Sequence, residues 1–268
     1  LEWVTEEEEL EDLYYYSIRV GIEKQAQELG HEIFRVFNLE DWGPLEKADG
    51  IIALGKYSPE TIRQLESYQK KLVFVDSNTL VYGHTCVMTD FETSVYQALA
   101  YLIESGHNQI GLLVGQETTA DNRPLQTDPR YLSFKYFLEE KELYQPDYIR
   151  VGHFSSDSGY EMMKELIDEL GNRLPSAFFM ASDALAVGAL RALQEASIPV
   201  PDQVSLISFN DTSIAKHVYP PLSTVTVYTE EMGKQAIHSL LQDLQRRDSG
   251  IPTMHTLATR LTIRESTR

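Results

Sequence analysis

Cysteine is nearly absent: Cys86 stands alone among 268 residues, which excludes an intrachain disulfide and any multi-cysteine zinc site. A lone thiol suits a reducing compartment. Cations are scarce too, with 23 Lys+Arg against 41 Asp+Glu and a formal net charge of -18. Binding a phosphate backbone needs a concentrated cationic surface. The densest pair, Arg246-Arg247, closes an expected helix, where cations meet the negative end of the dipole, so this chain alone is not expected to read DNA. No run reaches the roughly 18 apolar residues of a membrane-crossing helix. The start, LEWVTEEEELEDLYYY, has neither a basic leader nor the apolar core of a signal peptide. A cytoplasmic chain with no membrane partner is expected, opening at Leu1 in the tail of a strand as a piece of something longer would.

Enzyme signatures are missing as well. There is no GxGxxG, GxxxxGK[ST], GxSxG or HExxH motif, and the seven histidines are scattered without metal-ligand spacing. No catalytic residue, metal or cofactor is expected.

What the chain has is alternation. Short apolar runs are expected as strands at 2–4, 33–37, 50–54, 72–75, 86–89, 109–114, 148–154, 177–181 and 204–208. Helical patterns fill 14–29, 59–70, 91–105, 129–141, 157–170, 183–196 and 229–246. IIAL (51–54), LVFV (72–75) and FFMA (178–181) are apolar on both faces, as parallel strands covered by helices must be. The pattern is a doubly wound α/β fold. In 183–196, Leu185, Ala186, Ala189, Leu190 and Leu193 recur on one face, with Asp183 where an N-cap belongs. The alternation in TMHTLATRLTIRE (253–265) suggests antiparallel or edge strands, and the acidic run Glu6–Glu9 reads as a solvated loop. A chain of this length favours two compact units.

In open parallel sheets, ligands bind beyond the carboxyl ends of the strands. The residues there are Asp76-Ser77-Asn78, Asp90-Phe91, Asp128-Pro129-Arg130, His153-Phe154, Ser182-Asp183 and Asn210-Asp211. Carboxylates, amides and an arginine hydrogen-bond vicinal hydroxyls, and aromatic faces cover the apolar side of a sugar ring. The competing reading is that these groups cap the helices that follow. It weighs as much as ligand binding for Asp183 and Asp90, and less for Arg130, because a cation at a helix N-terminus is electrostatically unfavourable.

FFMASDALAVGALRALQEASIPVPDQVSLISFND (178–211), followed by PPLSTVTVYTEEMGKQAIHSLL (220–241), resembles the effector-binding core of the lactose/galactose-repressor family of bacterial transcription regulators. The shared pattern is a strand, xxDxxAxGxxxxL, VPxDVSxxxFDD, PxLTTV and a Gly-x-x-Ala helix. Asp90 with YLIESGHNQIGLLVG (101–115) and YYYSIRVGIEKQAQELGHEI (14–33) agree with it, so the resemblance covers essentially the whole chain.

The resemblance implies a type I periplasmic-binding-protein-like fold: two Rossmann-like doubly wound parallel-sheet subdomains joined by three crossovers. Residues 1–89 plus 227–250 would form one and 90–226 plus 251–268 the other, with a saccharide effector in the cleft. By matching motifs, Arg130 takes the position of the family's effector-binding arginine. Asn210 and Asp211 match its acid pair, Ser182 and Asp183 its polar pair, and Phe154 a covering aromatic, while Tyr14, Tyr15 and Tyr16 lie where the first helix contributes cleft residues, Tyr14 and Tyr15 being taken into the expected set. Asp90 and Phe91 complete the expected set. Asn210 stands where the family has Asp, and Ser133 where it often has Gly. The family's helix-turn-helix headpiece and hinge are not in this chain, so operator DNA would be bound only through them. A homodimeric sugar sensor, galactose or a related saccharide its effector, is the leading expectation. A transport solute-binding protein of the same fold is the alternative.

Overall fold

The computed structural model describes residues 1–3, 13–37, 41–125, 127–246 and 250–268. Val4, the run Glu6–Glu9 and Arg247 lie outside the described residues. In chain order the elements begin with α1 (Leu13–Glu28), β1 (Gly50–Leu54), α2 (Pro59–Glu66), β2 (Lys71–Val75) and β3 (Thr85–Thr89). Next come α3 (Phe91–Glu104), β4 (Ile110–Gly115), α4 (Pro129–Glu140), β5 (Ile149–Gly152), α5 (Ser156–Leu170) and β6 (Ala177–Met180). The chain ends with α6 (Asp183–Glu195), β7 (Ser205–Asn210), α7 (Ser213–His217), β8 (Ser223–Thr226), α8 (Thr229–Gln245), β9 (Met254–Leu257) and β10 (Arg260–Thr262).

These elements divide into two compact units. Unit 1 comprises Leu1–Thr89, Thr118–Pro124 and Tyr228–Leu257, and unit 2 comprises Asp90–Glu117, Leu125–Val227 and Ala258–Arg268. Unit 1 holds a parallel sheet in the order β1-β2-β3-β9. Unit 2 holds the order β10-β8-β7-β6-β4-β5, parallel apart from β10, which runs antiparallel to β8 at the edge. The central strands β6 and β7 are buried along their whole length. Their Phe178, Phe179, Leu206, Ile207 and Phe209 are fully covered, each contributing roughly 1.5–3 kcal/mol of apolar burial.

Helix starts follow from the sequence. Ser58, Asp90, Asp128, Ser155 and Ser182 each accept a hydrogen bond from the first turn of the helix they precede, which relieves one orphan N–H apiece. Each of these caps comes after a strand in the chain, so part of the polar inventory at the carboxyl edges is spent on starting the next helix. In both units a helix pair meets at glycines. A Cβ on Gly188 of α6 would lie 1.8 Å from the Ser156 carbonyl oxygen, and one on Gly21 of α1 would lie 2.2 Å from that of Glu230.

Three expectations differ from the structure. Residues 33–37 form no strand: Val36 accepts one bond from Glu2 N at 2.9 Å, and Glu2 itself makes only an isolated bridge to Leu54. Segments 118–124 and 251–257, both assigned from sequence to the second subdomain, belong to unit 1, the latter through β9, which pairs in parallel with β3. Its alternating exposure marks an edge strand, and alternation is silent on direction. The N-cap of α6 is Ser182, with Asp183 the first helical residue.

Candidate functional site

At the carboxyl edge of the unit 2 sheet, Asp128 and Arg130 are built as one object. The Asp128 carboxylate caps α4 by accepting from Arg130 N at 2.8 Å. It also takes the guanidinium on both oxygens, Nε at 2.8 Å and Nη2 at 2.6 Å. A cation at a helix N-terminus is unfavourable alone; here the capping carboxylate offsets it. Nη1 of Arg130 donates to the Ala181 carbonyl at the end of β6, 2.7 Å away. Three rings surround the guanidinium, with centroids 5.4 Å (Phe91), 4.6 Å (Phe154) and 5.6 Å (Phe209) from its carbon. Phe91 and Phe209 stack at 5.8 Å. Phe154 packs so close over Gly115 that a Cβ there would approach its ring to 2.3 Å. The result is a buried cation clamped by cation–π contacts and a fork-like ion pair.

Beside it, β7 ends in a turn with two consecutive left-handed residues, Asn210 (φ 108°) and Asp211 (φ 58°). Asp211 accepts from Arg264 Nη2 at 2.6 Å and Thr226 Oγ1 at 2.9 Å, which ties the turn to β8 and the chain beyond β10. Asp183 is 1% exposed. Its Oδ1 accepts from Ser208 and from Thr224 (3.1 Å), and its Oδ2 from Thr212 N (2.7 Å) and Thr212 Oγ1 (2.9 Å). Burial pushes its pKa up to about 6, with those hydrogen bonds pulling the other way.

Unit 1 has a polar cluster of its own. Asp76, at φ 64° after β2, accepts from Tyr15 Oη at 2.8 Å and Tyr14 Oη at 3.4 Å. It pairs with Lys56 Nζ at 2.8 Å, and Lys56 also donates to its carbonyl. A cavity of about 840 Å³ in the same unit, between α1, β1 and α8, is lined by Ile22, Ile51 and Leu240 among others and contains none of the expected site residues.

Of the ten residues expected from sequence, Arg130, Phe91 and Phe154 meet in one cage, and Asn210 follows directly on its third ring, Phe209. Ser182 and Asp90 act as helix caps. Asp183 and Asp211 have their oxygens taken up by other groups of unit 2. Tyr14 and Tyr15 gather on Asp76 in unit 1. The ten leave out Asp128, Asp76 and Lys56. Both aspartates stood at strand ends and were open to selection, whereas nothing in the sequence of GKYS (55–58) marked the lysine. Among the described residues, no group of three or more His, Cys, Asp or Glu is placed to hold a metal ion, and no helix is long and apolar enough to cross a membrane.

Comparison with known proteins agrees with this architecture. Residues 99–267 match the family described as the periplasmic binding protein-like domain. The chain is 52% identical over 268 residues to the HTH-type transcriptional regulator GalR of Streptococcus thermophilus, covering 100% of this chain and 80% of that protein. It is 39% identical over 268 residues to GalR of Lacticaseibacillus casei (99% and 80%) and 35% over 274 residues to the HTH-type transcriptional repressor MelR of Bacillus subtilis strain 168 (99% and 77%). Among solved structures, a transcriptional regulator CelR–cellobiose complex superposes with a TM-score of 0.83 at 23% identity, covering 98% of this chain and 82% of that one. The lac repressor dimer bound to operator and the anti-inducer ONPF gives 0.81 at 22% identity, covering 94% and 88%; at such identities these two speak for the fold. Motifs, fold and relatives together place the chain in the lactose/galactose-repressor family of bacterial transcription regulators, with the periplasmic-binding-protein-like fold.

Proposed function

We propose that this chain is the sugar-sensing part of a transcriptional repressor, with galactose or a related saccharide as its effector. The observation that carries the reading is the Arg130 cage: a guanidinium fixed by Asp128 and faced by Phe91, Phe154 and Phe209, with Asn210 at the adjoining strand end. Rigid cations and amides hydrogen-bond sugar hydroxyls, and ring faces cover the apolar side of a pyranose. The names of the GalR relatives support a galactose-like ligand. In unit 1, Asp76 with Lys56, Tyr14 and Tyr15 offers a second group of sugar-compatible donors and acceptors.

Binding acts by favouring one conformation over another, and the coupling to DNA equals the effector's differential affinity for the two. The chain works as a cytoplasmic homodimer without catalysis, and operator DNA is contacted through a helix-turn-helix of the kind recorded in its relatives' names. A transport solute-binding role is disfavoured because these relatives are transcriptional regulators. A thermal-shift screen of mono- and disaccharides on the wild type and Arg130→Ala tests the reading. One sugar should raise the melting temperature, by about 2.7 kcal/mol of stabilisation at a hundred times its Kd, and the variant should lose the effect. Equal shifts in both proteins would reject it.

A further inference from the structure

The turn after β7 is a strained place to present a ligand-binding amide. Two successive non-glycine residues at φ 108° and 58° persist only where their surroundings hold them. Asp211 is held by Arg264 and Thr226. The next residue, Thr212, is held by the Asp183 carboxylate through both its N–H and its hydroxyl. Asp183 thus joins the start of α6, β7 through Ser208, β8 through Thr224 and the turn itself, with all its described partners inside unit 2.

We propose that Asp183 is a positioning residue for effector binding: its buried carboxylate pins Thr212, fixing the left-handed Asn210-Asp211 turn next to the Arg130 cage, and does not itself touch the sugar. The inference rests on the reading that the effector is bound at this sheet edge. It gives the group a pH signature. Every partner facing Asp183, from β7, β8 and the turn, is an uncharged Ser or Thr, and the charged group on the turn, Asp211, is paired with Arg264 from beyond β10. Only the ionised carboxylate accepts all four donors. A turn that lets go of Thr212 while Asp183 stays buried loses two of the hydrogen bonds that hold its pKa down to about 6, so acidification below that value favours the loosened turn, although it opposes global unfolding, which exposes the carboxylate.

The test uses the purified chain, with Asp183→Asn and Thr212→Val beside Arg130→Ala. Hydrogen-exchange protection factors of 209–213 are measured without sugar, and D-galactose affinity by calorimetry, both from pH 5 to 8. The wild type should lose protection and affinity on acidification through pH 6. D183N should show at least tenfold lower protection and affinity at pH 7.5 and no inflection near 6, with T212V intermediate. A folded D183N with wild-type protection and affinity would overturn the proposal, and T212V carries the test should D183N fail to fold. If R130A weakens galactose binding and D183N does not, only this inference fails. If neither does, or the wild type binds no galactose, the reading of the site fails and takes the inference with it.

Discussion

Replacing Arg130 by alanine strips the Asp128 carboxylate, 4% exposed at its side chain, of its guanidinium partner. Breaking a buried pair from one side costs about 3–5 kcal/mol, because the remaining charge is left poorly solvated. Asp128→Ala should cost the same for the stranded guanidinium and roughly 1 kcal/mol more for the lost N-cap of α4. The double variant strands no charge, so its loss should fall short of the sum of the singles by about 2–3 kcal/mol. At roughly 2–4 °C per kcal/mol for a domain of this size, R130A alone should melt some 6–20 °C lower. Urea unfolding followed by far-UV circular dichroism measures the whole chain. Trp3 and Trp42, the two tryptophans, both belong to unit 1, and their fluorescence reports on the unit that carries no mutation. Single and double losses that add within about 0.5 kcal/mol would mean that the two side chains are independent, and that the pair is no clamp.

Gly188→Ala drives a methyl to 1.8 Å from the Ser156 carbonyl and 2.6 Å from Tyr160 N. Backbone cannot move aside as a side chain does, so a loss at or above about 3 kcal/mol is expected in urea melts. The Asp183 carboxylate has a folded pKa of about 6 against an ordinary 3.8, so the folded state holds its proton more tightly. Its contribution is most favourable below pH 4 and is lost as pH rises to 6, about 3 kcal/mol in all. The stability difference, wild type minus D183N, should fall by that amount between pH 4 and pH 7, and a flat difference would contradict the burial argument. Tyr15→Phe deletes the 2.8 Å bond to Asp76 and should cost roughly 1.5–3 kcal/mol, as hydrogen bonds to charged groups do. Asn210→Asp restores the acid typical of the family and should change the rank order of saccharides in the thermal-shift screen; an unchanged order would place effector choice elsewhere.

The sequence alone determined the alternating α/β order, the parallel central strands and the family. Those depend on local properties: apolar runs too continuous for a half-exposed strand, helical spacing such as that of Leu185, Ala189 and Leu193, and motifs contiguous in the chain. It also located the sheet edges where polar residues collect, and so put Arg130, Phe91 and Phe154 on one short roster. The direction of β9 and the absence of a strand at 33–37 were not legible, because hydrogen-bond partners lie far away in sequence. Nor was the division of labour among the strand-end residues. The caps at Ser182 and Asp90 are local, but Asp211 turned to Arg264 fifty-three residues on, and Asp183 to Thr212 and Thr224. Only the tertiary structure decided these, since a buried carboxylate must find every donor it can, and which donors come within reach is fixed by packing.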